Sequence, residues 1–390
     1  MPLPSNRIGQ ISESDLEGWE VYIEALRLKR EGKDVIMTSI GEHDFDPPDE
    51  TIEACKNALD NGHHNYTDIP GKPDLREAMA RVSSMALGVE TKPSEVVAMP
   101  GGQSCLYAAM QATLDPGDHI IVLGPHYVTY PGTIRAAGAS FTVVDTYSED
   151  GFQPRANLIE AAIQDNTKAI LINTPNNPTC AIYTRETLEA IADVCVRHDL
   201  WAISDEVYWS LTNGKHISPK AIDGMRDRTL ALLSMSKSHG LTGWRVGWIA
   251  STEAMSYNFA QHNLVSNYGM CDFISKAAED ALNGDFGLDM IADTYRSRGQ
   301  IFLDALGDTN DIRVLNEAGS MYFMIDVRAK ASDSKQFAFE LLKNELVAVM
   351  PGESFGPSAA GHIRISLGES EERLKQAATR LRRFASSYTE

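Results

Sequence analysis

The sequence predicts an α/β protein: a large, mostly parallel sheet covered by helices on both faces, joined to a smaller α+β domain. Three observations carry that prediction. Short apolar runs alternate with amphipathic helical stretches through the middle of the chain, as strands buried on both faces require. Polar residues collect directly after several of these runs, where open α/β sheets bind their ligands. From about residue 290 the strands become fewer and more widely spaced, which suits an α+β unit.

The apolar runs are "HIIVLG" (119–124), "SFTVVD" (140–145), "KAILIN" (168–173), "LWAISD" (200–205), "TLALLSMS" (229–236) and "VGWIA" (246–250). "NTPNNPT" follows the third, "DEVY" the fourth and "SMSKS" the fifth. Later come a long helix over "GLDMIADTYRSRGQIFLDAL", a strand "SMYFMIDV", a helix at 334–344, strands "LVAVM" and "HIRISLG", and a C-terminal helix carrying "RLRR". An N-terminal helix over about 13–31 and a strand "DVIMTSIG" are expected to pack with this later part. The predicted division is therefore a large domain over 46–289 and a discontinuous small domain from 1–45 and 290–390.

Composition narrows the partners. Fifty-four acidic against 35 basic residues leave a net charge of −19, which repels phosphate backbones and anionic lipid heads, so neither nucleic acid nor membrane is expected. The opening stretch "MPLPSNRIGQISESD" has no apolar core, and nowhere do 18 apolar residues run together, so a cytoplasmic protein is expected. Five cysteines without a C-x-x-C pair read as small buried residues in a reducing compartment. His63-His64 has no third partner at metal spacing, and no metal is expected.

Three motifs compete around the candidate site. Ser234-x-x-Lys237 matches the first element of the penicillin-binding and class A β-lactamase enzymes, but Ser204-Asp205-Glu206 and Leu241-Thr242-Gly243 stand where S-D-N and K-T-G are required. Gly352-Glu353-Ser354-Phe355-Gly356 matches the nucleophile elbow of α/β-hydrolases. An elbow must launch a helix, and Pro357 follows at once, so a glycine-rich turn is the better reading.

The third motif is longer. Ser234, Ser236, Lys237, Gly240, Leu241, Gly243, Arg245, Val246 and Gly247 reproduce, in order, the cofactor-attachment pattern of class I and II aminotransferases. "GEHDF", "NYTDIPGKPDLREA", "PGGQSCLYAA", "GPHYVTYPG", "NTPNNPT", "ISDEVY" and "HIRISLG" extend the match over nearly the whole chain. The chain thus resembles the fold-type I enzymes that use pyridoxal 5'-phosphate, and the resemblance implies a seven-stranded sheet in the large domain, as in aspartate aminotransferases.

The resemblance also implies roles. Lys237 would be the covalent anchor of the cofactor and the proton shuttle, its amine freed by desolvation; alone it would read as a lysine just past a strand. Arg245, Ser234 and Ser236 would hold the cofactor phosphate together with Gly102 and Gln103 at a helix N-terminus. Asp205, otherwise an N-cap, would pair with the pyridine nitrogen, Asn177 and Tyr208 with the ring's 3-oxygen, and Tyr127 would stack on its face, with Tyr130 a competitor for that place. Arg364 would grip the substrate α-carboxylate beside Gly41, and Tyr66 would reach the phosphate of a partner subunit in a homodimer. His43 and Cys180 depart from the family, whose members usually carry proline and glycine there.

The implied reaction is ping-pong transamination between an L-amino acid and a 2-oxo acid, pyruvate or 2-oxoglutarate. The finer likeness runs to arginine–pyruvate aminotransferases, with aspartate or aromatic donors as alternatives. A C–S β-lyase on the same fold and a non-catalytic cofactor-binding regulatory module are the other classes that such a chain can represent. Neither composition nor motif decides the donor.

Overall fold

The computed structural model describes residues 3, 5–12, 18–212, 215–284, 287–316 and 320–389. Its central feature is a sheet built from β1 (Val96–Met99), β2 (His119–Leu123), β3 (Ser140–Val144), β4 (Thr167–Asn173), β5 (Trp201–Asp205), β6 (Thr229–Ser234) and β7 (Gly247–Ala250). The strands lie in the order β1-β7-β6-β5-β4-β2-β3, and only β7 runs against its neighbours. Seven strands in a mostly parallel sheet agree with the expectation. β1 is the addition: "VVAM" is wholly buried and pairs with β7 from Val96–Ala250 to Met99–Gly247.

Helices cover both faces because the strands are apolar on both sides. Helix α1 (Gly102–Thr113) sets Cys105, Leu106, Ala109 and Met110 against Val97, Ile120, Ile203 and Leu232 on one face. On the other, Ile121, Ile170 and Ala202 meet Leu188, Ile191 and Cys195 of the helix Arg185–Arg197. That helix starts where the Thr184 hydroxyl accepts the Thr187 amide at 3.2 Å.

A second sheet has the order β10-β11-β9-β8 from β8 (Arg313–Val314), β9 (Tyr322–Asp326), β10 (Met350–Pro351) and β11 (His362–Ser366), all antiparallel. One apolar core joins Val21, Ala25 and Ile36 from the start of the chain to Phe302, Phe323, Leu341 and Leu381 from its end. Within it, "DVIMTSIG" forms only the two-residue strand Ile36–Met37, parallel to Val347–Ala348. "LVAVM" likewise splits between two sheets, and its first residue, Leu346, takes the left-handed region at φ 55°. The N-terminal helix spans Glu20–Arg30; residues 13–17 of the expected helix lie outside the described residues. The segment 352–356 is a short 3-10 turn, not a strand-to-helix elbow. Among the described residues no helix is long and apolar enough to cross a membrane.

Candidate active site

Three parallel strands end side by side, with Asn173 opposite Asp205 and Asp205 opposite Leu232. Their C-terminal ends open into a cavity of about 290 Å³. Around it stand Lys237, Asp205, Tyr208, Asn177, Tyr127, Arg245 and Arg364, with Gly41, Gly102, Gln103, Ser234 and Ser236. Thus the structure gathers every predicted site residue except Tyr66, which is 85% exposed, edge-on to Tyr268, and outside the cavity wall.

Local sequence explains how the lysine is presented. Ser234 ends β6 in extended backbone, and its hydroxyl accepts the Ser236 amide at 3.1 Å, capping the single turn α2 (Met235–Ser238). The turn carries Lys237 over the strand ends, where its Nζ donates to the Gly41 carbonyl. Burial first, then the nearby Arg364 and Arg245 charges, lower the Lys237 pKa to about 8, with Glu42 opposing. A much larger share of this amine is therefore neutral near pH 7 than of an ordinary lysine.

Asp205 lies on the cavity floor, where it accepts the Tyr130 hydroxyl at 2.6 Å and the Val207 amide at 3.4 Å. Burial pushes its carboxyl up to about 6, against these two hydrogen bonds. A cation placed beside it would restore the carboxylate. Tyr130, fully buried, is thus engaged with Asp205, while half-buried Tyr127 meets it edge-on with ring centroids 5.8 Å apart.

The anion end is formed by Arg245 and the N-terminus of α1. Gly101 has φ +84°, and a Cβ there would overlap the Arg245 guanidinium. Only glycine at this position admits the cation beside the first amides of the helix, an arrangement suited to a phosphate. Arg245 itself takes φ 57° and donates to the Thr242 carbonyl at 2.8 Å.

At the opposite side, Arg364 of β11 is buried, not a solvent-facing strand residue. It donates to Asn177 Oδ1 at 2.7 Å and to the Ser39 carbonyl at 2.6 Å, and lies 4.3 Å from the Tyr322 ring centroid. Its Nε is buried without a partner. Asn177 is fixed in turn: its amide N–H donates to Asn173 Oδ1 at 2.7 Å, and its side-chain amide donates to the Tyr208 hydroxyl at 3.3 Å. Tyr208 and Tyr322 hydroxyls stand 3.0 Å apart. A Cβ on Gly41 would overlap the Tyr322 hydroxyl, so packing against this tyrosine is what requires the glycine.

Residues 33–381 match the family model described as aminotransferase class I and II. The chain belongs to the aminotransferase class I and II family. Among its relatives, the arginine–pyruvate transaminase of Pseudomonas aeruginosa is 38% identical over 374 residues, 95% of each chain. The aspartate/prephenate aminotransferase of Thermus thermophilus is 36% identical over 370 residues, 94% of each chain. A double mutant of the T. thermophilus aspartate aminotransferase superposes with a TM-score of 0.91 at 35% identity, covering 98% of this chain and all of that one. The aspartate aminotransferase of Rhizobium meliloti gives 0.92 at 27% identity over the whole of both chains.

Membership in this aminotransferase family sets the departures in context. Cys180 occupies φ 59°, and its thiol, 3.4 Å from the Tyr322 carbonyl, is pushed up to about 11, chiefly by burial. A thiol so raised stays protonated near pH 7, and the side chain packs against the apolar core that Tyr322 belongs to. Trp19 and Tyr322, which no motif places here, also line the aminotransferase cavity, as do Tyr130, expected only as a competitor of Tyr127, and Asn173, the first residue of "NTPNNPT". A tyrosine in a strand of another sheet, as Tyr322 is, carries no local sign of the cavity that tertiary packing brings to it.

Proposed function

We propose that the cavity holds pyridoxal 5'-phosphate and moves an amino group between an L-amino acid and a 2-oxo acid in a ping-pong reaction. The observation that carries this reading is the convergence of a depressed lysine, a buried carboxylate and two arginines on one cavity. The cradle left by Gly101 beside Arg245 fits a phosphate, and the partnerless Nε of Arg364 fits a carboxylate. The cofactor, when bound, supplies an electron sink for the substrate's Cα–H bond.

The residues then divide the work. Gly102, Gln103, Ser234, Ser236 and Arg245 would hold the phosphate, Asp205 the pyridine nitrogen, Asn177 and Tyr208 the 3-oxygen, and Tyr127 the ring face. Arg364 receives the α-carboxylate and orients the Cα–H bond; Gly41 leaves room for the substrate. Lys237 Nζ in its neutral form accepts the Cα proton and would pass it to the cofactor's aldehyde carbon, so that the amino group stays behind when the 2-oxo acid leaves.

Relatives named for arginine, aspartate and prephenate keep arginine, aspartate and aromatic donors in view, with pyruvate or 2-oxoglutarate as acceptor. The family's relatives are named as aminotransferases, which disfavours a C–S β-lyase or a regulatory module. The proposal includes a cytoplasmic homodimer in which the exposed Tyr66 completes the partner subunit's site, and a large domain over 46–289 against a small one from 1–45 and 290–390.

Capture of pyridoxal 5'-phosphate by cofactor-free protein, trapped with borohydride and mapped by mass spectrometry, tests the reading. The label is expected on Lys237. Because only the neutral amine reacts, the capture rate should rise with pH and level off above about 8. An ordinary lysine would keep gaining rate towards ~10.4. Label spread over surface lysines, or a rate still climbing past that plateau, would contradict it.

A further inference from the structure

We propose that His43 is a positioning residue for Lys237: by bridging the Ser236 carbonyl to the Tyr295 hydroxyl, it fixes the lysine-bearing turn against helix α3 (Leu288–Leu306). This inference rests on the reading of Lys237 as the reacting amine.

The imidazole is wedged between two elements. Its Nε2 lies 3.0 Å from the Ser236 carbonyl, one residue before the lysine, and its Nδ1 lies 2.8 Å from the Tyr295 hydroxyl. A carbonyl can only accept, so Nε2 carries the proton, and Nδ1 is left to accept from the tyrosine. Burial, with the Lys237 and Arg298 charges, holds the ring's pKa near 4 against the Ser236 hydrogen bond and Asp44, so this neutral tautomer persists through physiological pH. The bridge therefore does not switch as pH changes in that range.

The same loop holds the lysine at its other end. The Gly41 carbonyl accepts the Lys237 amine, while Asp44 pairs with Arg298 of α3 at 2.7 Å and Phe45 faces that guanidinium at 5.6 Å. Residues 41–45 thus grip both the amine and the backbone beside it, and α3 holds the loop. Without the imidazole, the amine hydrogen bond is the one left between the turn and this loop among the described residues. A proline at 43, usual in the family, has neither ring nitrogen to offer.

Three variants test the proposal: His43→Pro removes both hydrogen bonds, Tyr295→Phe removes one hydroxyl at nearly constant volume, and His43→Gln restores a donor and an acceptor. A misplaced reacting group costs up to ~10²-fold, so kcat of the loaded enzyme should fall about tenfold or more in H43P, with KM for the 2-oxo acid within about twofold. Y295F should fall in the same direction, and H43Q should recover to within about threefold of wild type. In cofactor-free protein, the pH midpoint for acetic anhydride labelling of Lys237 should move upward in H43P and Y295F, because a loosened turn lets water reach the amine. A merely structural histidine would change thermal stability and leave that midpoint in place. Wild-type kcat and an unmoved midpoint in both H43P and Y295F overturn the proposal. Failure of the wild-type protein to transaminate would instead overturn the functional reading beneath it.

Discussion

Lys237→Ala is expected to lose transamination by at least about 10³-fold, with the fold intact. Proton transfer by a positioned side chain contributes ~10²–10⁴-fold, and here the same residue also supplies the covalent anchor. The fold should survive because burial already disfavours the ammonium, so its removal takes away a desolvated charge. Lys237→Arg separates charge from chemistry. A guanidinium keeps the cation but has no accessible neutral form, and this variant should be as inactive as the alanine one. Steady-state rates with a panel of amino acid donors, alongside thermal melts, check both. Wild-type turnover by either variant would remove Lys237 from the reaction.

Arg364→Ala should lower kcat/KM for amino acid donors by roughly 10²–10⁴-fold. Two charge-assisted hydrogen bonds to a carboxylate are worth ~1.5–3 kcal/mol each, which converts to that range. The guanidinium is already oriented by Asn177 Oδ1, the Ser39 carbonyl and the Tyr322 and Phe355 rings, so little ordering is left to be done on binding. Arg364→Lys should recover only part of the loss, since a point charge cannot offer two parallel donors. The deficit should appear with every donor alike, because all carry the same α-carboxylate. A loss confined to one donor side chain would place Arg364 at the wrong end of the substrate.

Much of this was legible in the sequence, for physical reasons that differ by element. β2, β4, β5 and β6 announce themselves because strands buried on both faces are continuous apolar runs bounded by polar ligand-binding ends. β1 escaped because four apolar residues between a 3-10 turn at Pro93 and the glycines at 101–102 are too few to show a period. Ile36–Met37 was overextended in the prediction because its pairing is set by a partner strand more than three hundred residues away, where no local pattern limits it.

The site divides in the same way. Lys237, Arg245, Asp205 and Asn177 sit in contiguous motifs at strand ends and could be read directly. Tyr322 could not, since it arrives from the second sheet, and Tyr130, expected only as a competitor of Tyr127, instead reaches Asp205 from the first turn of the helix Tyr130–Ala137. Gly41 is expected to make room for substrate; in the fold its missing Cβ makes room for the Tyr322 hydroxyl.

This chain is expected to transfer an amino group without releasing it. The most direct measurement is a half-reaction: loaded enzyme mixed with excess amino acid and no acceptor, with 2-oxo acid and ammonia quantified against active sites. Transamination predicts a single burst of about one equivalent of 2-oxo acid per site and no ammonia, with turnover resuming once pyruvate or 2-oxoglutarate is added. Continuous release of ammonia and 2-oxo acid in the absence of any acceptor would contradict it.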